Sequence, residues 1–121
     1  MTMVGIDIIE IERIKSMAEN DVRLSSLFTE KEIKYFNKYK DRQTHVAGGF
    51  CAKEAVSKAL KTGFNGKVLP REIEILHKDT GAPYVVLKGG AKEVFESLGL
   101  TNIDISISHD KEKATAICIV E

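Results

Sequence analysis

The stretch NIDISISHDKEKATAICIVE, residues 102–121, reads as two strands folded back on a polar turn around Lys111 to Lys113. Ile103, Ile105 and Ile107 fall on one face of the first strand, and Ser106 and Ser108 on the other, which is the period-two pattern of a half-buried strand. Working outward, EIEILHKDTGAPYVVL at 72–87 repeats the design: Ile73 and Ile75 alternate with Glu72 and Glu74, and Asp79 to Pro83 supply turn chemistry. MVGIDII at 3–9 is rich in β-branched residues and reads as a further, buried strand. Strands that come in hairpins, not each alternating with a helix, predict an α+β fold with a small antiparallel sheet and argue against a doubly wound parallel one.

The helices predicted between these strands differ in strength. IERIKSMAE, residues 11–19, reads as a helix of about ten residues following the first strand. In LFTEKEIKYFNKY, residues 27–39, Thr29 and Glu32 form a capping-box signature, and Ile33 and Phe36 supply an apolar stripe. From about Asp41 to Lys61 runs the longest helical pattern, with Val46, Ala47, Phe50, Ala55, Ala59 and Leu60 able to face a core and Gly48 and Gly49 weakening its first half. That long helix is expected to pack on the sheet. GGAKEVFESLG, residues 89–99, reads as a short helix closed by Gly99.

A chain of 121 residues has the size of one domain, so residues 1–121 are expected to form a single unit. Lys plus Arg and Asp plus Glu both total 18, which leaves no bulk charge to draw in nucleic acid or a membrane. Asp7, Glu10 and Glu12 interrupt the apolar N-terminus before a secretory or membrane-spanning segment could form, so a cytoplasmic protein is expected. Cys51 and Cys118 lack metal-type spacing and read as small buried residues.

Three features could carry chemistry. Asp7 is unusual because aspartate is depleted from strands and here sits between Ile6 and Ile8; it either faces water, caps the next helix or meets a compensating cation. In FCAKEAVSKALKTG, residues 50–63, Glu54 and Lys58 lie one helical turn apart with Lys61 close by, the pattern of a common surface ion pair or half of a site. Mg²⁺ takes one or two protein carboxylates together with waters and substrate phosphate oxygens, a need that a strand-end Asp7 and a helical Glu54 fit. In SISHD, residues 106–110, His109 ends a strand, where a side chain can meet a ligand. His45 and His77 read as ordinary exposed or locally bonded histidines. GxxxxGK[ST], GxGxxG and HExxH motifs are all absent, so a bound phosphate would need another device.

GIDIIEIERI (5–14), FCAKEAVSKALKTG (50–63), GAPYV (81–85) and ISISHD (105–110) together resemble the small, single-unit bacterial members of the 4′-phosphopantetheinyl transferase family, those of the holo-[acyl carrier protein] synthase type. The resemblance runs the length of the chain in the same order and spacing. It implies a long helix packed on a small antiparallel sheet, and transfer of the phosphopantetheine arm of coenzyme A to a serine of acyl carrier protein, in support of fatty acid biosynthesis. It further implies Asp7 and Glu54 as Mg²⁺ ligands, Glu54 and Lys58 as catalytic groups, and Lys58, Gly63, Pro83 and His109 as positions near coenzyme A. Arg13 and Met17 match positions that meet the carrier, and Arg13, Lys15 and Arg23 would steer its acidic surface. The family's small members are similar to trimers with active sites between subunits, which implies a homotrimer.

Two departures from the family pattern are visible. Gly49 stands where the family often has an arginine that meets a coenzyme A phosphate, leaving Lys53 or Arg42 as possible replacements. Glu19, Asn20 and Asp21 reduce the positive charge at the end of the first helix. A Mg²⁺-dependent nucleotide hydrolase and a non-catalytic binding module remain as competing readings of the same residues.

Overall fold

In the computed structural model, which describes residues 1–121, strand β1 (Met3–Glu10) leads through a 3-10 turn (Ile11–Ile14) into a four-residue helix α1 (Lys15–Ala18). Helices α2 (Asp21–Leu27), α3 (Glu30–Phe36) and α4 (Arg42–Ala59) follow. The hairpin of β2 (Ile73–His77) and β3 (Pro83–Leu87), helix α5 (Gly89–Ser97), and a second hairpin of β4 (Ile103–His109) and β5 (Lys113–Val120) complete the chain. The α+β class and both hairpins agree with the sequence reading. The first helix does not: IERIKSMAE is half 3-10 helix and half a single α turn. The chain then starts again at Asn20, whose side chain accepts the amide of Arg23 and caps α2, a helix the sequence pattern did not announce.

All strand pairing is antiparallel. β5 is inserted between β1 and β4 to give the order β1-β5-β4, while β2 and β3 form a separate ribbon. The register sets Gly5 opposite Cys118 and Ile105, and Asp7 opposite Ala116 and Ile107. These rows face α4. The intervening rows, Val4–Ile119 and Ile6–Ile117, face away from it and stay exposed.

Helix α4 crosses the inner face obliquely. A Cβ at Gly48 would touch Ile107 on β4, whereas one at Gly5 would run into the Ala55 carbonyl and the Ala59 amide, so the last turns of α4 rest directly on the backbone of β1. This glycine is needed for close approach, not for its backbone angles. Around the contact one cluster of buried apolar residues joins α4 to every layer, from Leu24, Phe28 and Phe36 to Cys118 and Val120.

The expected capping box is present: Thr29 Oγ1 accepts the Glu32 amide, and Glu32 Oε1 accepts the Thr29 amide at 2.9 Å. Glu32 also accepts the Ile75 amide at 3.0 Å and a 2.8 Å bond from Lys53 Nζ. Lys53 Nζ donates further to the carbonyls of Pro70 and Ile73, so a fully buried ammonium ties α3, α4 and β2 together. A buried ion pair stabilises little by itself, but its loss on one side is costly, and here it fixes how α4 sits.

Candidate active site

Asp7 lies on the helix-facing side of β1, with its side chain 17% exposed. Its strand neighbours Ile6 and Ile8 are the exposed ones, so a wet-face reading of Asp7 is reversed by the register. Lys58 Nζ donates 3.0 Å bonds to Asp7 Oδ1 and to the Ile6 carbonyl. Lys58 therefore reaches across to the strand; it makes no ion pair with Glu54, and the simple surface pair expected of two helical neighbours is not formed. Thr115 on β5 donates a 2.7 Å bond to the Asp7 carbonyl and fixes the strand at that residue.

Glu54 is half-buried on the same part of α4. Burial raises its pKa, the Asp7 charge raises it further, and Lys58 pulls the other way. Burial, and then the charge of Asp7, push the neighbouring Cys51 thiol up to about 12, so Cys51 is an inert neutral neighbour. The Asp7 charge on the facing strand thus adds to the cost of ionising Glu54, with one ammonium to offset it. No group of three or more His, Cys, Asp and Glu residues exists that would cage an ion. Two carboxylates fit an ion such as Mg²⁺, which keeps several waters and takes its remaining ligands from substrate phosphate oxygens.

The other expected contact residues lie elsewhere. Gly63 has φ +59° in the turn that closes α4, where its amide donates to the Ser57 carbonyl. Pro83 and His109 line a cleft of about 220 Å³ together with Tyr35, His45, His77 and Gly49. The more spacious hollow, about 740 Å³, includes His109 but is lined by Glu10, Glu12, Asp41, Asp110 and Glu112 against only Lys111 and Lys113, an acidic setting that disfavours a phosphate.

Three expectations need correction. Lys53 cannot replace an arginine at position 49, because its ammonium is consumed in the core. Arg42 does not line the cleft; its guanidinium lies 3.5 Å from Asp21. Met17 is buried in the core, so on this side of the molecule Arg13, Lys15 and Arg23 are the exposed groups available to a partner. The convergence of His45, His77 and His109 was missed in the sequence, where each stands alone.

Residues 3–118 match the family model of the 4′-phosphopantetheinyl transferase superfamily. The chain belongs to this family. Among its relatives within the superfamily is the holo-[acyl-carrier-protein] synthase of Clostridium acetobutylicum, 46% identical over 119 residues that span 98% of this chain and 95% of the relative. The Helicobacter pylori holo-[acyl-carrier-protein] synthase, solved in complex with coenzyme A, superposes with a TM-score of 0.84 at 31% identity, covering 98% of this chain and 100% of that one. The Bacillus anthracis synthase, in complex with CoA (3′,5′-ADP), gives 0.82 at 35% identity, covering 98% and 95%. The phosphopantetheinyl transferase fold therefore extends over nearly all of β1 to β5.

Proposed function

We propose that this chain transfers the 4′-phosphopantetheine group of coenzyme A to a serine of apo acyl carrier protein, releasing adenosine 3′,5′-bisphosphate, in support of fatty acid biosynthesis. The observation that carries the reading is the facing set of Asp7, Glu54 and Lys58, held by the Gly5 contact in a chain that belongs to this family. The serine oxygen forms a bond to the β-phosphorus of coenzyme A, and the bond from that phosphorus to the oxygen bridging the two phosphates breaks. The electron pair stays with the leaving bisphosphate.

Asp7 and Glu54 would hold Mg²⁺, which when bound neutralises diphosphate oxygens and lowers the cost of the charge they develop. Lys58 sets an ammonium beside Asp7, where it offsets charge growing on the leaving oxygen. Glu54 takes the serine proton, directly or through a metal-bound water. Gly63 lies in the turn beyond Lys58, near the diphosphate, while Pro83 and His109 contact the nucleotide end. Arg13 and Arg23 steer the acidic carrier.

A homotrimer with active sites between subunits accounts for two further observations. The carboxylate pair lies along β1 and the Pro83–His109 cleft along β4, opposite edges of the three-stranded sheet and about 10 Å apart at ordinary strand spacing. One donor molecule would meet both if β1 of one copy approached β4 of another. In addition, the outer sheet face exposes Ile6 and Ile8 at 61% and 62%, with Val4, Ile117 and Ile119 beside them, a patch suited to burial between copies. No helix is long and apolar enough to cross a membrane.

Chromatography of the nucleotide products tests the reaction. Adenosine 3′,5′-bisphosphate should form only when apo carrier is present; its release together with free phosphopantetheine in the absence of carrier would establish the hydrolase reading instead.

A further inference from the structure

Lys58 sits in the last turn of α4 and reaches back to β1, where its ammonium donates 3.0 Å bonds to Asp7 Oδ1 and to the Ile6 carbonyl. Its ion pair with Asp7 is the only one at either carboxylate of the site. Burial and then the Asp7 charge raise the Glu54 pKa, and Lys58 alone lowers it, so one cation serves both carboxylates. The oxygens that hold it, a carboxylate and a backbone carbonyl, are the hard donors a divalent ion takes. The two partners differ in freedom. Asp7 is largely buried on a strand whose carbonyl Thr115 pins, whereas Lys58 is 51% exposed on a flexible four-carbon stem. Asp7 is fixed while Lys58 can swing away.

An ammonium 3.0 Å from Asp7 Oδ1 already answers the charge of that oxygen, and it repels any second cation brought to the same carboxylates. A divalent ion entering alone would leave excess positive charge between Asp7 and Glu54. A diphosphate changes the balance in two ways. Its oxygens complete the ligands of the ion, and its remaining charge gives the displaced ammonium an anion to bind.

We propose that Lys58 is a tethered stand-in for the metal: it screens Asp7 and Glu54 in the free protein and yields them only to a metal that arrives with a diphosphate. Metal and donor then bind as one unit. The proposal rests on Asp7 and Glu54 being the metal ligands and on coenzyme A being the donor. It gives Lys58 two positions, at Asp7 before the donor binds and at the diphosphate afterwards. An ammonium seated at Asp7 about nine-tenths of the time weakens metal binding to the free protein about tenfold, because apparent affinity scales with the fraction of protein that is competent to bind.

Mn²⁺ is the probe, since electron paramagnetic resonance counts its free hydrated form directly. Without donor, Lys58→Gln should bind Mn²⁺ about tenfold more tightly than the wild type, and Lys58→Arg, which keeps a cation, should remain as weak as the wild type. Thermal melts show that each variant is folded, and Mn²⁺ should raise the melting temperature of Lys58→Gln more than that of the wild type. With saturating coenzyme A, read against Mn²⁺ and coenzyme A without protein, wild type and Lys58→Gln should come within about threefold of each other. Asp7→Asn should lose tight binding in that mixture. A tenfold gap that persists with coenzyme A would mean that Lys58 only repels the metal from a fixed position. Unchanged or weaker Mn²⁺ binding by donor-free Lys58→Gln would mean that the carboxylates are not screened. Either result overturns the exchange and leaves the metal ligands standing, whereas wild-type Mn²⁺ binding by Asp7→Asn with coenzyme A would overturn the ligand assignment as well.

Discussion

Asp7 and Glu54 place two negative charges on facing elements with the Lys58 ammonium against one of them. On this account Asp7→Ala or Glu54→Ala should each remove about 3–4 kcal/mol of transition-state stabilisation, a fall of roughly 10²–10³-fold in kcat/KM at saturating Mg²⁺. Unchanged turnover in either variant would remove the metal assignment, and in Glu54→Ala the base assignment as well. Glu54 also fixes the acid limb of the rate profile. In the metal-free protein its pKa is raised above the ordinary 4.5, so Mg²⁺ must displace its proton, and activity at limiting Mg²⁺ should be lost as pH falls through that raised value. The limb should disappear from the residual activity of Glu54→Gln; its persistence would move the base elsewhere. The residue types of this site were legible in the sequence, but not their pairing. Lys58 was readable as a helical neighbour of Glu54, and only the strand register reveals that Asp7 faces it.

At the scale of elements, the position of α4 rests on Gly5 from below and Lys53 from the side. Gly5→Ala would drive a methyl group into the Ala55 carbonyl, costing about 1–3 kcal/mol and pushing Glu54 and Lys58 away from Asp7. Thermal melts and turnover should fall together; an alanine variant of wild-type stability would mean that the helix is not so closely seated. Lys53→Met should be worse, about 3–5 kcal/mol, because it strands Glu32 without its cation. Adding Glu32→Gln should recover part of that loss, and strict additivity in the double-mutant cycle would contradict the coupling. Glu74 belongs to the same layer: burial raises its pKa, but hydrogen bonds from Thr29 and Lys88 bring it below the ordinary value. Its contribution to stability is therefore complete above pH ~4.5 and is lost as pH falls through the lower folded value.

Period-two alternation, turn residues and the Thr29–Glu32 box made the hairpins, α3 and α4 readable before any coordinates. Helix α2 was not, because Leu24 is its only fully buried residue while Val22 is exposed, which leaves almost no apolar stripe. The roles of Gly5 and Lys53 were equally hidden, since both depend on which surface α4 docks against. The histidine cleft was hidden for a related reason: its members come from α4, β2 and β4, and nothing local marks any of them.

For the whole molecule, the exposed row of Val4, Ile6 and Ile8 with Ile117 and Ile119 should disappear into contacts between copies. Ile6→Asp with Ile117→Lys would place charges in that face without touching the α4 side of the sheet. Light scattering should then report a folded monomer, and its transfer activity should collapse because the carboxylate pair and the nucleotide cleft lie at opposite sheet edges. A monomer with full activity would contradict a site shared between subunits. The measurement that bears most directly on the central claim is the intact mass of purified apo acyl carrier protein after incubation with this protein, coenzyme A and Mg²⁺. The account predicts a gain of one phosphopantetheine group, abolished by chelator and by Asp7→Ala; no gain with several competent carriers would contradict it.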